Sequence, residues 1–126
     1  MTNKKNNGFR ASFGNAFTGF TSALRTERNL KIHFTAGIAA ILVGFYLQIS
    51  LIEWGIILVA IAMVIIYEVF NTAVECTVDL ISPHENELAR KAKDISASAV
   101  LTAAACSVVV GLVIFLPKLI RILQGL

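Results

Sequence analysis

Charge is scarce in this chain. Only 15% of its 126 residues are Asp, Glu, Lys or Arg, against 56% hydrophobic residues and a mean hydropathy of +0.75, which leaves too little polar surface to clothe a water-soluble domain of this size. The composition is that of an integral membrane protein. Cysteine and proline are nearly absent, with two of each. Cys76 and Cys106 lie in apolar stretches without CxxC spacing or a histidine cluster, so they are expected as small buried hydrophobes rather than as a disulfide or metal framework. No GxxxxGK[ST] run and no glycine-rich kinase loop occurs, which excludes a P-loop or a protein-kinase site. Residues 1–7 lead into no apolar leader with a small-residue cleavage site, so no signal peptide is expected to be removed. The net charge of +3 and pI near 9.1 fit the basic cytoplasmic edge of a membrane protein better than a nucleic-acid surface.

What is present is helical. Residues 1–8 form a polar, lysine-bearing tail that is expected to be disordered. Phe9, Phe13, Phe17, Phe20 and Leu24 then recur at gaps of three and four, with Arg10, Ser12, Thr18 and Arg25 on other faces. This pattern predicts an amphipathic helix over 9–25 lying in the membrane interface. Residues 34–52 are uncharged, long enough at about 1.5 Å per residue to cross a hydrocarbon core about 30 Å thick. A short connection over 48–53 leads to Trp54, placed as an interfacial anchor, and to a second span over 54–80 whose last turns emerge from the bilayer. Ser82 as N-cap and Pro83 at the first helical position predict a short charged helix. Residues 95–117 form a third uncharged span, closed by Pro117 and Lys118, and its many Ala and Ser residues allow close helix approach. The expected fold is a single-domain, all-α membrane protein with one interfacial helix and three transmembrane helices.

Orientation follows from the distribution of cations. Lys118 and Arg121 lie on one side of the three spans and the other nine Lys and Arg on the opposite side, so the positive-inside rule places the N-terminus and the loop after the second span in the cytoplasm. All the acidic residues except Glu53 lie on or near that same side.

The second span carries the chemistry. Glu68, Asn71, Glu75 and Asp79 fall at i, i+3, i+7 and i+11, one face of a helix. Ionisable groups beside hydrocarbon are costly and point to function. Glu27 at the mouth of the first span and Glu75 at that of the second can converge on Mg²⁺, which takes one or two carboxylates and completes its shell with phosphates and water. Glu68 sits about two turns deeper than Glu75, a setting for a general base that accepts a hydroxyl proton. Asn71 can orient that carboxylate or bind a phosphate, and Lys93 with Asp94 can supply a cation for the transferring phosphoryl group and an acid to hold it. On spacing alone, plainer readings stand beside these. Glu27 among Arg25, Arg28 and Lys31 reads as a surface ion pair, Glu75 and Asp79 as a solvated helix end, and Glu68 as an acid paired for structure. His33 and His84 read as interfacial or loop residues rather than metal ligands. A non-enzymatic proton-relay or ion-conducting subunit would use the same buried acids.

The run Glu68-Val-Phe-Asn71-Thr-Ala-Val-Glu75-Cys-Thr-Val-Asp79, followed by Ala92-Lys93-Asp94 and preceded by Arg25-Thr-Glu27-Arg-Asn, resembles the signature of the small bacterial integral-membrane diacylglycerol kinase family. In detail it looks most like the Gram-positive branch that phosphorylates undecaprenol. The resemblance implies that Glu68 is the catalytic base, that Glu27 and Glu75 bind the metal, and that Asn71, Lys93 and Asp94 line the nucleotide site. It further implies nucleotide contacts from His84, Glu85 and Asn86 and from Arg10 and Asn15 near ATP. Mg²⁺ as cofactor, ATP and a membrane lipid alcohol as substrates, a homotrimer with shared active sites, and the bacterial cell membrane as location are implied in the same way. The acceptor that the resemblance implies is undecaprenol, with diacylglycerol as the alternative. The chain departs from the best-known diacylglycerol kinases after Asp94, where Ile95-Ser-Ala-Ser replaces a Gly-Ser pair.

Overall fold

The computed structural model describes residues 8–125, so the disorder expected of residues 1–8 lies, but for Gly8, outside it. The described residues form four helices: α1 (Phe9–Thr26), α2 (Arg28–Tyr46), α3 (Leu51–Ile81) and α4 (Glu87–Leu123). Of these, α2, α3 and α4 are long and apolar enough to cross a membrane.

Helix α1 follows its expected bounds to within a residue and buries none of its side chains; Phe9, Phe13 and Phe17 form an exposed stripe. Its contact with the bundle includes Phe20, whose ring centroid lies 6.4 Å from that of Phe34 on α2. Glu27 breaks the helix with an extended backbone (φ −89°, ψ 117°), and α2 starts at the next residue.

The first span ends at Tyr46 rather than at residue 52. Gln48 takes a left-handed backbone (φ 48°) and the Ile49 N–H donates to the Gly44 carbonyl at 3.2 Å, which reverses the chain. The apolar residues read as helix here instead close the end of the bundle: Leu47 and Ile49 join Ile57 and Ile114 in the core, flanked by Trp54, Ile61, Val110 and Phe115. Helix α3 begins three residues before the expected Trp54 because Ser50 and Glu53 form a capping box. Glu53 N–H donates to Ser50 Oγ at 3.3 Å, and Ser50 N–H donates to Glu53 Oε2 at 2.6 Å. Trp54 packs its ring 4.8 Å from that of Phe45.

The start expected at Ser82 does not form. Ser82 Oγ donates to the His84 carbonyl at 3.2 Å, and Asn86 is the N-cap, its Oδ1 accepting from Leu88 N–H at 2.8 Å and Ala89 N–H at 3.2 Å. The short charged helix and the third span are one continuous element, which passes through Pro117 to Leu123. Pro117 removes one backbone hydrogen bond, to the Val113 carbonyl, but its fixed φ is helical and the helix carries on.

Packing is concentrated where α3 lies along α4; mid-span, Ser107 Oγ donates to the Ala60 carbonyl at 3.1 Å. Helix α2 approaches α3 at Gly37 and Gly44, where an added Cβ would stand 2.9 Å from Ile61 Cγ2 and 2.9 Å from Trp54 Cη2. At the same end as the core cluster, Lys118 Nζ lies 3.1 Å from Glu53 Oε2. Cys76 and Cys106 are exposed, not buried as expected. Three helices enclose too little volume to cover every apolar face, and both cysteines fall on outward ones.

Candidate active site

The spacing of Glu68, Asn71, Glu75 and Asp79 on α3 places them along one stripe, and the packing of α2 decides which of them become buried. Gly44 meets Trp54 and Gly37 meets Ile61, so each seven-residue step down α2 is matched by seven up α3. The same register brings Leu30 level with Glu68 and Glu27 level with Asn71. Leu30 is fully buried, Glu68 is 3% exposed and Asn71 is 8% exposed. Glu68 and Asn71 are the buried polar residues among those described.

Around them a charged cluster assembles. Glu27 and Glu75, both half-buried, lie within range of the Glu68 charge, and so does His33. Asn71 Nδ2 donates to Glu75 Oε1 at 3.0 Å, while its Oδ1 is buried without a hydrogen-bond partner. Asn71 thus orients Glu75 rather than Glu68. Thr72 Oγ1 donates to the Glu68 carbonyl at 3.1 Å. Lys93 is held by Asp79, not by its neighbour Asp94, and also lies within range of the Glu75 charge. Beyond this pair, Asp79, Ser82, His84, Glu85, Asn86, Arg90 and Lys93 line an open groove of about 540 Å³ at the α3–α4 loop.

Glu27, Glu68, Asn71, Glu75 and Lys93 are therefore gathered at one end of the bundle, and His84, Glu85 and Asn86 share the adjoining groove. The Asn86 carboxamide oxygen already caps α4. Asp94 is exposed and makes no ion pair among the described residues, and Arg10 and Asn15 are exposed on α1 away from these contacts.

The donors available to a cation are all oxygen: the carboxylates of Glu27 and Glu75, and the orphaned Asn71 Oδ1 beside them. No group of three or more His, Cys, Asp or Glu among the described residues is arranged to hold a metal by itself. That set fits a hard divalent cation that takes the rest of its shell from phosphate and water, as Mg²⁺ does. His33 is the residue that sequence reasoning set aside. It lies on the same face of α2 as Leu30, Gly37 and Gly44, the buried positions of that helix, and this seven-residue repeat is the signal that points it inward.

Residues 14–115, which take in Glu27, the whole acidic stripe and the α3–α4 groove, match the prokaryotic diacylglycerol kinase family. The chain belongs to that family. This kinase is similar to the undecaprenol kinase of Bacillus subtilis, 45% identical over 90% of this chain and 92% of the relative. It is also similar to the diacylglycerol kinase of Synechocystis, 38% identical over 89% of this chain and 65% of the relative. The diacylglycerol kinase of Escherichia coli K12 is 28% identical over 76% of this chain and 79% of the relative. Family membership makes the chain a lipid kinase, a multi-pass membrane phosphotransferase, and sets aside the non-enzymatic relay subunit. Arg10 falls before the matched region.

Proposed function

We propose that this kinase transfers the γ-phosphate of ATP, with Mg²⁺, to the primary hydroxyl of undecaprenol. The observation that carries the reading is the buried Glu68 one turn inside Asn71, with Glu27 and Glu75 within range of its charge. Glu68 accepts the hydroxyl proton as the lipid oxygen bonds to the γ-phosphorus and the bond to the bridging oxygen of ADP breaks. Glu27 and Glu75 would hold Mg²⁺, which neutralises charge across the phosphates when bound. Lys93, released from Asp79, meets the phosphates, and His84, Glu85 and Asn86 border the nucleotide in the groove beyond. Most of the rate enhancement comes from positioning and charge stabilisation.

The nucleotide side faces the cytoplasm, on the strength of the cation distribution. Helix α1, with its exposed aromatic stripe, lies in the interface and holds the lipid hydroxyl level with Glu68. The chain assembles as a homotrimer with sites shared between copies, which accounts for outward apolar faces on α3 and α4 and for Arg10, Asn15 and Asp94 standing clear of the single-chain cluster. Undecaprenol is favoured because the undecaprenol kinase relative shares more identity, over more of its length, than the diacylglycerol kinases.

Purified enzyme with radiolabelled ATP, Mg²⁺ and either lipid tests the assignment. Faster labelling of undecaprenol is the expected result. Preference for diacylglycerol overturns the acceptor, and no labelled lipid from either overturns the mechanism.

A further inference from the structure

A lipid alcohol reacts at its hydroxyl, but most of its surface is hydrocarbon, and that tail must lie somewhere along the bundle. Two apolar hollows run beside α3. The larger, of about 690 Å³, lies on the Val59, Met63 and Tyr67 face of the helix. Tyr67 is about 100° around the helix from Glu68, so this hollow turns away from the buried carboxylate. The smaller, of about 300 Å³, is floored by Ile57, Ile61 and Val64. These fall at i, i+4 and i+7, and Glu68 at i+11 continues the same stripe. The floor therefore leads to the carboxylate, which stands one turn beyond Val64; Ile57, Val64 and Glu68 are all buried.

Helices α2 and α4 wall this cleft. They barely meet each other, and the residues that line the gap are small: Gly37 and Ala40 from α2, Ala104 and Gly111 from α4. Depth along it follows from the pairing of α3 with α4. Asp79 meets Lys93, Ala60 meets Ser107 and Glu53 meets Lys118, so Ala104 stands near Val64 and Gly111 near Ile57. At the deep end Ile57 and Phe115 join the Leu47, Ile49 and Ile114 cluster, which closes the bundle. The lining is hydrocarbon except for Ser107, whose hydroxyl donates to the Ala60 carbonyl, and His33. An ester group buried there would give up hydrogen bonds to water that a hydrocarbon wall does not replace. A cavity of about 150 Å³ takes one benzene ring, so this one takes a single run of about a dozen carbons, or about two isoprene units.

We propose that the cleft between α2 and α4 is the tail site of the acceptor: it takes the isoprenoid segment next to the hydroxyl as a single chain, and so selects a polyprenol over a lipid with two ester-linked chains. This rests on Glu68 acting as the base toward a lipid alcohol. A polyprenol is hydrocarbon from its hydroxyl onward; its first units enter the cleft and the rest of the chain stays among the bilayer lipids. In diacylglycerol two esters lie within a few bonds of the hydroxyl, and two chains compete for one cleft.

The test uses primary prenols of one to four isoprene units, undecaprenol and diacylglycerol, in micelles with ATP and Mg²⁺. Gly111→Leu fills the deep end, where an added Cβ meets nothing nearer than Phe115 Cδ2, at 3.9 Å. Gly55→Leu, in the larger hollow, is the control. For each acceptor the ratio of kcat/KM in the variant to that in wild type cancels partitioning into the micelle. In Gly111→Leu this ratio is expected to fall about tenfold or more between the one-unit and the three-unit prenol, then stay level to undecaprenol. KM for ATP is unchanged, and the ratio for diacylglycerol falls less. In Gly55→Leu the ratio is expected to be flat. Ala104→Leu, nearer Glu68, should bring the fall forward to the two-unit prenol, and it decides if Gly111→Leu does not fold. A ratio independent of chain length in both cleft variants, the same fall in Gly55→Leu, or a diacylglycerol ratio that falls as far as that of undecaprenol overturns this inference alone, provided that wild type labels undecaprenol. No labelled product from any prenol or from undecaprenol overturns the parent reading with it.

Discussion

The distance from Glu27 to Asn71 and Glu75 depends on how closely α2 lies against α3, and Gly37 sets that approach. A methyl group at position 37 would stand 2.9 Å from Ile61 Cγ2, where carbon atoms ordinarily rest about 3.5–4.0 Å apart. Either the helices part by about 0.6 Å or more, or Ile61, stiff at χ1 because it is β-branched, leaves its rotamer. Overpacking of this kind costs about 1–3 kcal/mol. Since a misplacement of about 1 Å at a reacting site lowers rates about 100-fold, Gly37→Ala is expected to lower both SDS resistance and kcat, the latter by about tenfold. The partner identifies the cause. Ile61→Ala removes Cγ2 and should return part of the activity in the double variant, whereas Ile61→Val keeps a methyl group there and should not. Gly55, with nothing within 4 Å of an added Cβ, accepts alanine without loss. Wild-type turnover and SDS resistance in Gly37→Ala, or equal rescue by valine and alanine at position 61, would refute the reasoning.

On the proposed mechanism, Glu68→Gln removes the proton acceptor at nearly constant volume. It should lower kcat by about 100-fold or more while nucleotide binding, read by calorimetry, persists. With Glu27 and Glu75 as the proposed Mg²⁺ donors, Glu27→Gln and Glu75→Gln should each raise the Mg²⁺ concentration for half-maximal activity, as measured by titration; Glu53→Gln, at the opposite end of the bundle, should leave it unchanged. Ser50→Ala breaks half of the α3 capping box and should lower stability in SDS titration by about 0.5–2 kcal/mol with kcat retained.

Much of this was legible because membrane helices write their length and face into the chain. The three spans and α1 follow from uncharged runs and phenylalanine spacing, and the acidic stripe from helical period alone. Boundaries were harder, because more than one residue could cap. Ser82 followed by Pro83 has the form of a helix start, yet the Ser82 hydroxyl bonds within the loop and Asn86 does the capping. The S-x-x-E pattern at Ser50 marks the start of α3, although the 48–53 stretch that holds it reads as a connection. The partner of Lys93 depends on which helices meet and at what height, and the sequence does not contain that: Lys93 finds Asp79 across the α3–α4 loop. His33 was hidden for the same reason, since its neighbours are on other helices. Asn71 has two neighbours on its own helix, Glu68 three residues before and Glu75 four after, and it bonds the latter.

Helix α4 has 37 residues and α3 has 31, so they run about 55 Å and about 46 Å, well beyond hydrocarbon about 30 Å thick. Asp79 and the loop groove therefore ride on turns standing clear of the oil, about 16 Å along α3 from Glu68. In the proposed reaction a nucleotide and a lipid alcohol with no common solvent each stay in their own phase, and the protein acts as a fixed ruler between them. Bilayer thickness then becomes a control on catalysis: a leaflet that rises along α3 submerges the groove, and one that recedes strands the alcohol below the carboxylate that must reach it.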